Sequence, residues 1–230
     1  MERKYYEAYD DRYRQVHRQE LQWFHDLPSP IVKKTIDAYG ISKQHKLLEL
    51  GCGEGRDAFP LLVDGYDLTA TDISPEAIRF CRERDLIYGD KFRILDCVHG
   101  EDEGKYDFIY AVALVHMLVE DEDRNAFYRF IREHLRRNGL SLICTMGDGN
   151  TERCSDIRNA FDLQERIHEQ TGKMIRIAST SCRMVTFETF YQELTRSGFE
   201  VIDSGITSVD PDFPQMMYAL IREGEANHDE

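Results

Sequence analysis

The chain has 230 residues, 41% of them hydrophobic and 31% charged, enough for one domain with a full core and an added cap. A formal net charge of −14 argues against a nucleic-acid partner, which would need a basic face, and no apolar run approaches the length of a membrane span. The six cysteines show no CxxC spacing, so neither a metal site nor a disulfide framework is expected, and the opening MERKYYEAYDDRYR is too polar for a signal peptide, which leaves a cytoplasmic protein as the expectation.

From the N-terminus, Tyr6, Tyr9, Tyr13, Val16 and Phe24 recur at helical spacing and predict an amphipathic helix that runs until Pro28 and Pro30 stop it. A short helix from Ile31 to Tyr39, ended by Gly40, completes an N-terminal helical lid over residues 1–40. The tyrosines read in two ways. They are a docking face for the rest of the protein, or, with His17, Trp23 and His25, they line a ligand site, since each offers an apolar body with a polar tip.

The core, residues 41–147, alternates strands and helices: strand 46–51, helix 55–64, strand 67–71, helix 75–85, strands 91–96 and 106–112, helix 122–137 and strand 140–145. Ser74 is placed as an N-cap with Pro75 in the first turn, and helix 122–137 carries acids at its start and arginines at its end, matching its dipole. Such alternation predicts an α/β fold with a doubly wound, mostly parallel sheet. Residues 148–185 then interpose an insertion with a helix expected over 155–171. It falls above the carboxyl edge of the sheet, where ligands bind in open α/β folds, so it reads as a substrate cap. Residues 186–223 complete the core with helix 187–197 and strands 199–207 and 216–223, whose short connection makes them antiparallel neighbours. The tail 224–230 is expected to be disordered.

The chemistry concentrates where strand 46–51 breaks into Gly51, Cys52, Gly53, Glu54 and Gly55 ahead of a helix. Glycines permit positive φ and close approach of a ligand, and a helix opening there presents free N–H groups. Asp72 ends the next strand about twenty residues beyond the first glycine, placed to bond a ribose diol beside that turn. The turn GCGEG lacks the GxGxxG spacing of a dinucleotide-dependent dehydrogenase, and the terminal pair of strands fits such an enzyme poorly.

LLELGCGEGRD followed by TATDIS resembles the first two motifs of the class I S-adenosylmethionine-dependent methyltransferases, over roughly residues 40–147 and 186–223. The resemblance implies a seven-stranded Rossmann-like sheet with an antiparallel C-terminal strand, S-adenosylmethionine as cofactor and a small-molecule acceptor. It implies that Glu49, Gly51, Gly53 and Gly55 surround the amino-acid part of that cofactor, with Cys52 as a small side chain in the same turn. Asp72 would take the ribose hydroxyls and Ile73 one face of adenine. Asp96 would accept from the adenine amino group with Cys97 beside the ring, and the backbone at Ala111 and Val112 would flank the methionine portion.

A base helps methyl transfer only where the acceptor atom carries a proton. His116, just beyond strand 106–112, and His25 are the candidates, with a structural role as the alternative for each. Tyr9, Tyr13, His17, Trp23, Asp148, Arg153 and Arg183 are candidate acceptor-binding residues. Asp148 equally suits a turn, and the arginines equally suit pairing with neighbouring acids. A transfer of another part of the cofactor, of the aminocarboxypropyl type, and a non-catalytic binding protein on the same fold are the alternatives in function.

Overall fold

The computed structural model describes residues 3–224, so the expectation for the tail falls almost wholly outside the described residues. Helices are α1 (Ala8–His17), α2 (Pro30–Ala38), α3 (Ala58–Val63), α4 (Pro75–Arg84), α5 (Asp121–His134) and α6 (Phe187–Arg196). The strands of the main sheet are β1 (Lys46–Leu50), β2 (Asp67–Asp72), β3 (Phe92–Ile94), β4 (Tyr106–Val112), β5 (Leu135–Met146), β10 (Phe199–Val209) and β11 (Phe213–Glu223). The insertion supplies the rest: β6 (Arg153–Cys154) paired with β9 (Arg183–Met184), and β7 (Leu163–Ile167) paired with β8 (Met174–Ala178).

The sheet order is β10-β11-β5-β4-β1-β2-β3, with β11 antiparallel to both of its neighbours and the other described core pairings parallel. Successive residues of a strand face opposite sides, so a sheet covered on both faces reads as a continuous apolar run. Thus Leu48, Leu50, Ile109 and Ala111 pack with Phe127 and Ile131 on one side, whereas Leu47, Phe108 and Tyr110 pack with Leu62 and Ile78 on the other. Strand order reverses between β1 and β4. The crevice beyond their carboxyl ends is the natural ligand position of this topology.

The lid is shorter than the periodicity predicts: α1 ends at His17 and residues 18–29 run irregularly, so Phe24 is not on the helix. Its tyrosine face packs inward, with Tyr9 and Tyr13 against Ala77, and Val16 against Ile175 and Ile177 of β8. The helix expected over 155–171 is absent. A single 3-10 turn at Ile157–Asn159 precedes the β7–β8 hairpin, whose loop turns through Gly172 at φ +68°. Period two is the stronger local signal there, because Ile175 and Ile177 bury against α1 while Met174 and Arg176 stay exposed. Helix α5 also ends earlier than expected, and β5 begins at Leu135, with Asn138 at φ +66° inside an irregular stretch of its pairing with β4.

Candidate active site

At the end of β1 the chain turns through Gly51 and Gly53 at φ +74° and +52°. A Cβ at Gly51 would lie 2.5 Å from Leu114 Cδ1, and one at Gly53 would lie 2.6 Å from the Tyr13 hydroxyl oxygen. Both conformation and close packing therefore require glycine. The cleft they floor is lined by Glu49, Asp72, Ile73, Asp96 and the segment Val112–Leu114, and is roofed by Tyr6, Tyr9 and Tyr13 of the lid.

Three carboxylates set its electrostatics. Glu49 is buried and accepts a bond from the Tyr110 hydroxyl at 3.0 Å, and burial together with the Asp57 charge pushes its carboxyl well above the ordinary range. Asp72 accepts from Gly53 N at 2.9 Å and from Ser74 N at 2.8 Å, and burial pushes it up to about 6 despite those bonds. Asp96 accepts from Val98 N at 2.8 Å and from the Tyr6 hydroxyl at 3.4 Å. A ligand bringing positive charge and hydroxyl groups would satisfy what burial penalises here. Opposite them stands Arg56, only 10% exposed, near Asp57 and Asp212, with its Nη1 buried and lacking a hydrogen bond. That orphaned donor in the cleft suits a ligand carboxylate. Ammonium, carboxylate, diol and aromatic ring are together the groups of S-adenosylmethionine, so the residues fit it.

A second cavity adjoins the first and shares Tyr9, Phe24 and Met117 with it. His116 lines it, 3% exposed, with Nδ1 buried and unpartnered. Burial, with the Arg124 and Arg12 charges, holds the imidazole at about 3, so it is neutral near pH ~7. The loop bearing it is clamped by Arg124, which donates to Val115 O at 2.7 Å and Leu118 O at 3.2 Å and pairs with Glu193 at 2.6 Å.

The turn also fastens the lid. Glu54, 2% exposed, accepts from Trp23 N, Phe24 N and the His17 ring at 2.7, 2.8 and 2.9 Å, and Asp57 accepts from Ser29 N and Oγ. His17 also reaches Glu76 at 2.8 Å. Burial opposes its charge, but the two glutamates outweigh it and raise the imidazole above its ordinary value.

Several expected positions move. Ala111, 1% exposed, has its side chain in the core beneath the cleft, and the lining begins at Val112 and continues through the positive-φ residue Ala113 to Leu114. Gly55 also lies behind the lining, where a Cβ would meet Phe59. His17 is a strap rather than a lining residue. Asp148 closes a turn on Asn150 and Thr151, Arg153 lies exposed on β6, and Arg183 pairs with Asp121 and Val119 O; none reaches either cavity. Tyr9 and Trp23 do line the second cavity, Tyr13 and His25 the first, and His25 Nδ1 is held by Asp212 at 2.9 Å. Gly51, Cys52, Gly53, Ile73 and Cys97 all lie in the first cleft. Sequence reasoning missed Arg56, Arg12, Arg166 and Phe213. Arg56 follows the glycine turn directly and Arg12 interrupts the aromatic stripe of α1, which were readable signals; Arg166 and Phe213 arrive from distant segments with no local mark.

Residues 48–141 match the family model described as Methyltransferase domain. The probable S-adenosyl-L-methionine-dependent methyltransferase TehB of Haemophilus influenzae is 30% identical over 111 residues, 47% of this chain and 38% of that protein. The ubiquinone biosynthesis O-methyltransferase of Rickettsia prowazekii is 28% identical over 119 residues, 50% of this chain and 46% of that protein. The matched stretch thus spans less than half of these curated relatives. Among solved structures, the CcbJ methyltransferase of Streptomyces caelestis is similar with a TM-score of 0.68 at 17% identity, over 95% of this chain and 99% of that one. A glycopeptide N-methyltransferase, MtfA, complexed with S-adenosylmethionine is similar with a TM-score of 0.59 at 20% identity, over 83% of this chain and 86% of that one. At these identities the structural likeness speaks to the fold.

Proposed function

We propose, for a chain that belongs by motif and fold to the class I S-adenosylmethionine-dependent methyltransferases, that it methylates a small-molecule acceptor held in the second cavity. When bound, S-adenosylmethionine supplies a methyl group already activated on a sulfonium sulfur. Asp72 takes the ribose hydroxyls, Glu49 and Arg56 the amino-acid end, and Ile73 and Cys97 the adenine faces, with Asp96 on its amino group. The observation that carries the reading is that the two cavities adjoin, with Tyr9, Phe24 and Met117 lining both.

What the chain contributes is alignment and exclusion of water, since in-line placement of reactants is the largest lever available to a displacement at carbon. The lid tyrosines close the cofactor cleft, and Phe24, Phe213 and Met117 give the acceptor cavity apolar walls. His116, neutral at working pH, accepts or donates a hydrogen bond at the acceptor and orients it rather than acting as an acid. His25, held by Asp212 through Nδ1, lines the cofactor cleft and not the acceptor cavity, so it is not placed to take a proton from an acceptor there.

The first cavity is roofed by the lid and the second lies between lid and insertion, which supports a small acceptor over a macromolecule. Incubation of the protein with methyl-labelled S-adenosylmethionine and a deproteinised small-molecule fraction tests this: label is expected in a low-molecular-weight product. Label found only in protein or nucleic acid supplied in parallel would overturn the small-molecule reading.

A further inference from the structure

The acceptor cavity holds two guanidinium groups without an acid. Arg12, 6% exposed, donates to Ala178 O at 3.0 Å, Ser179 O at 2.7 Å and Thr180 Oγ1 at 2.5 Å, all of them neutral oxygens. The Arg166 side chain of β7, exposed at the cavity's edge, makes no hydrogen bond or ion pair with any described residue. Both lie over the Trp23 ring, with Cζ 4.9 Å and 5.6 Å from its centroid. Of the two, Arg12 is buried and Arg166 is exposed; the buried Arg124, by contrast, is paired with Glu193, and Arg56 contacts Asp57. In a chain with 43 acids and 29 lysines and arginines, two adjacent arginines left without a carboxylate are not accounted for by composition.

Arg12 spends Nε and Nη2 on neutral oxygens and Arg166 is open to solvent, so stacking on the indole leaves the mutual repulsion of the two charges uncompensated. The carboxylates near them do not fill the gap. Asp212 is taken by His25 and approached by Arg56, and Glu169 stands exposed on the hairpin turn. His116 Nδ1, buried and unpartnered in the same cavity, is a further polar group awaiting a ligand.

We infer that the methyl acceptor is an acid: a small molecule whose carboxylate or phosphate group is gripped by Arg12 and Arg166, with an apolar body packed against the contacting pair Phe24 and Phe213 and a polar atom on His116. Guanidinium forks match both anions, and the aromatic walls suit a ring or short chain. This rests on the methyltransferase reading of the paired cavities and names the chemistry of the second one.

Trp23 is the only tryptophan of the chain, so its fluorescence reports on this pocket alone. The full-length protein, saturated with S-adenosylhomocysteine, is titrated with para-hydroxybenzoate, hydrocinnamate and phenyl phosphate, and with para-hydroxybenzamide, hydrocinnamide and phenol as neutral counterparts. Binding is followed by Trp23 emission and by calorimetry. At least one acid should bind about tenfold or more tightly than its neutral counterpart. The carboxylates and the phosphate ester, compared with each other, identify the anion. Arg166→Gln, an exposed substitution whose contact with the lid is its stacking on Trp23, should abolish that preference, read by calorimetry, while leaving the melting temperature and S-adenosylhomocysteine affinity unchanged. Equal binding of acids and neutral counterparts, no acid bound at millimolar concentration, or a preference retained in Arg166→Gln would overturn the inference. Failure of S-adenosylhomocysteine to bind would instead remove the methyltransferase reading, and the acid titration of the unloaded protein would still decide the charge preference.

Discussion

Replacing Asp72 by asparagine removes the charge at the centre of the cofactor cleft while keeping its shape. Each carboxylate oxygen now accepts a backbone N–H, from Gly53 at 2.9 Å and from Ser74 at 2.8 Å. An amide keeps one acceptor and turns a donor toward the other N–H, which costs about 1–3 kcal/mol of stability for the bond lost and the donor left unsatisfied. The ligand loses a charged acceptor for its hydroxyls, worth about 1.5–3 kcal/mol, a roughly 10- to 150-fold rise in Kd. Calorimetric titration with S-adenosylhomocysteine, beside a thermal melt, separates the two effects. The carboxyl, pushed up to about 6 by burial, also fixes the sign of a pH effect. Hydroxyl donors favour the carboxylate, so affinity should strengthen as pH rises through about 6 and weaken below it, by up to about tenfold per pH unit. Glu49, raised by burial and by Asp57, adds the same sign for a cationic ligand, so Asp72→Asn should flatten this limb rather than erase it. A variant that binds within about threefold of the parent, with an unchanged pH profile, would refute the assignment of the cleft.

Arg56→Gln removes the buried Nη1 that has no hydrogen bond among the described residues and only a long ion pair to Asp212 at 3.8 Å, and should weaken S-adenosylhomocysteine by about ten- to a hundredfold, while 5′-methylthioadenosine, which lacks the amino-acid end, binds as before; equal losses for both ligands would place Arg56 elsewhere. His17 is raised by Glu54 and Glu76 against the opposing effect of burial. Its contribution to stability is complete below the ordinary value of 6.5 and is lost as pH rises through the raised one, so the parent's melting temperature should fall across that window more than that of His17→Gln. Parallel curves would show that the strap carries no charge.

The parallel core was legible because its signals are local: apolar runs, a glycine turn, and Ser74 as a helix cap, which accepts the expected backbone bond. The insertion was misread for a physical reason. Residues 155–171 offer apolar positions that satisfy a helical stripe, but the face of Ile175 and Ile177 that α1 covers makes the hairpin the better burial. Cofactor-side residues followed from spacing along two strands. Of the second cavity, Tyr9, Trp23 and His116 were legible by residue type, but Arg12, Arg166, Ser181 and Phe213 were not, because they converge from four segments that only tertiary packing brings together. Asp148 and Arg153 were plausible by type and position, yet a turn and a surface strand absorb them.

The central claim is that the glycine turn, Asp72 and Arg56 form an S-adenosylmethionine cleft beneath the lid. Its most direct test is calorimetric titration of the full-length protein with S-adenosylhomocysteine and, in parallel, NADH. Micromolar, one-to-one binding of the first with none of the second is the predicted result. A folded protein that binds neither, or binds NADH, would contradict it.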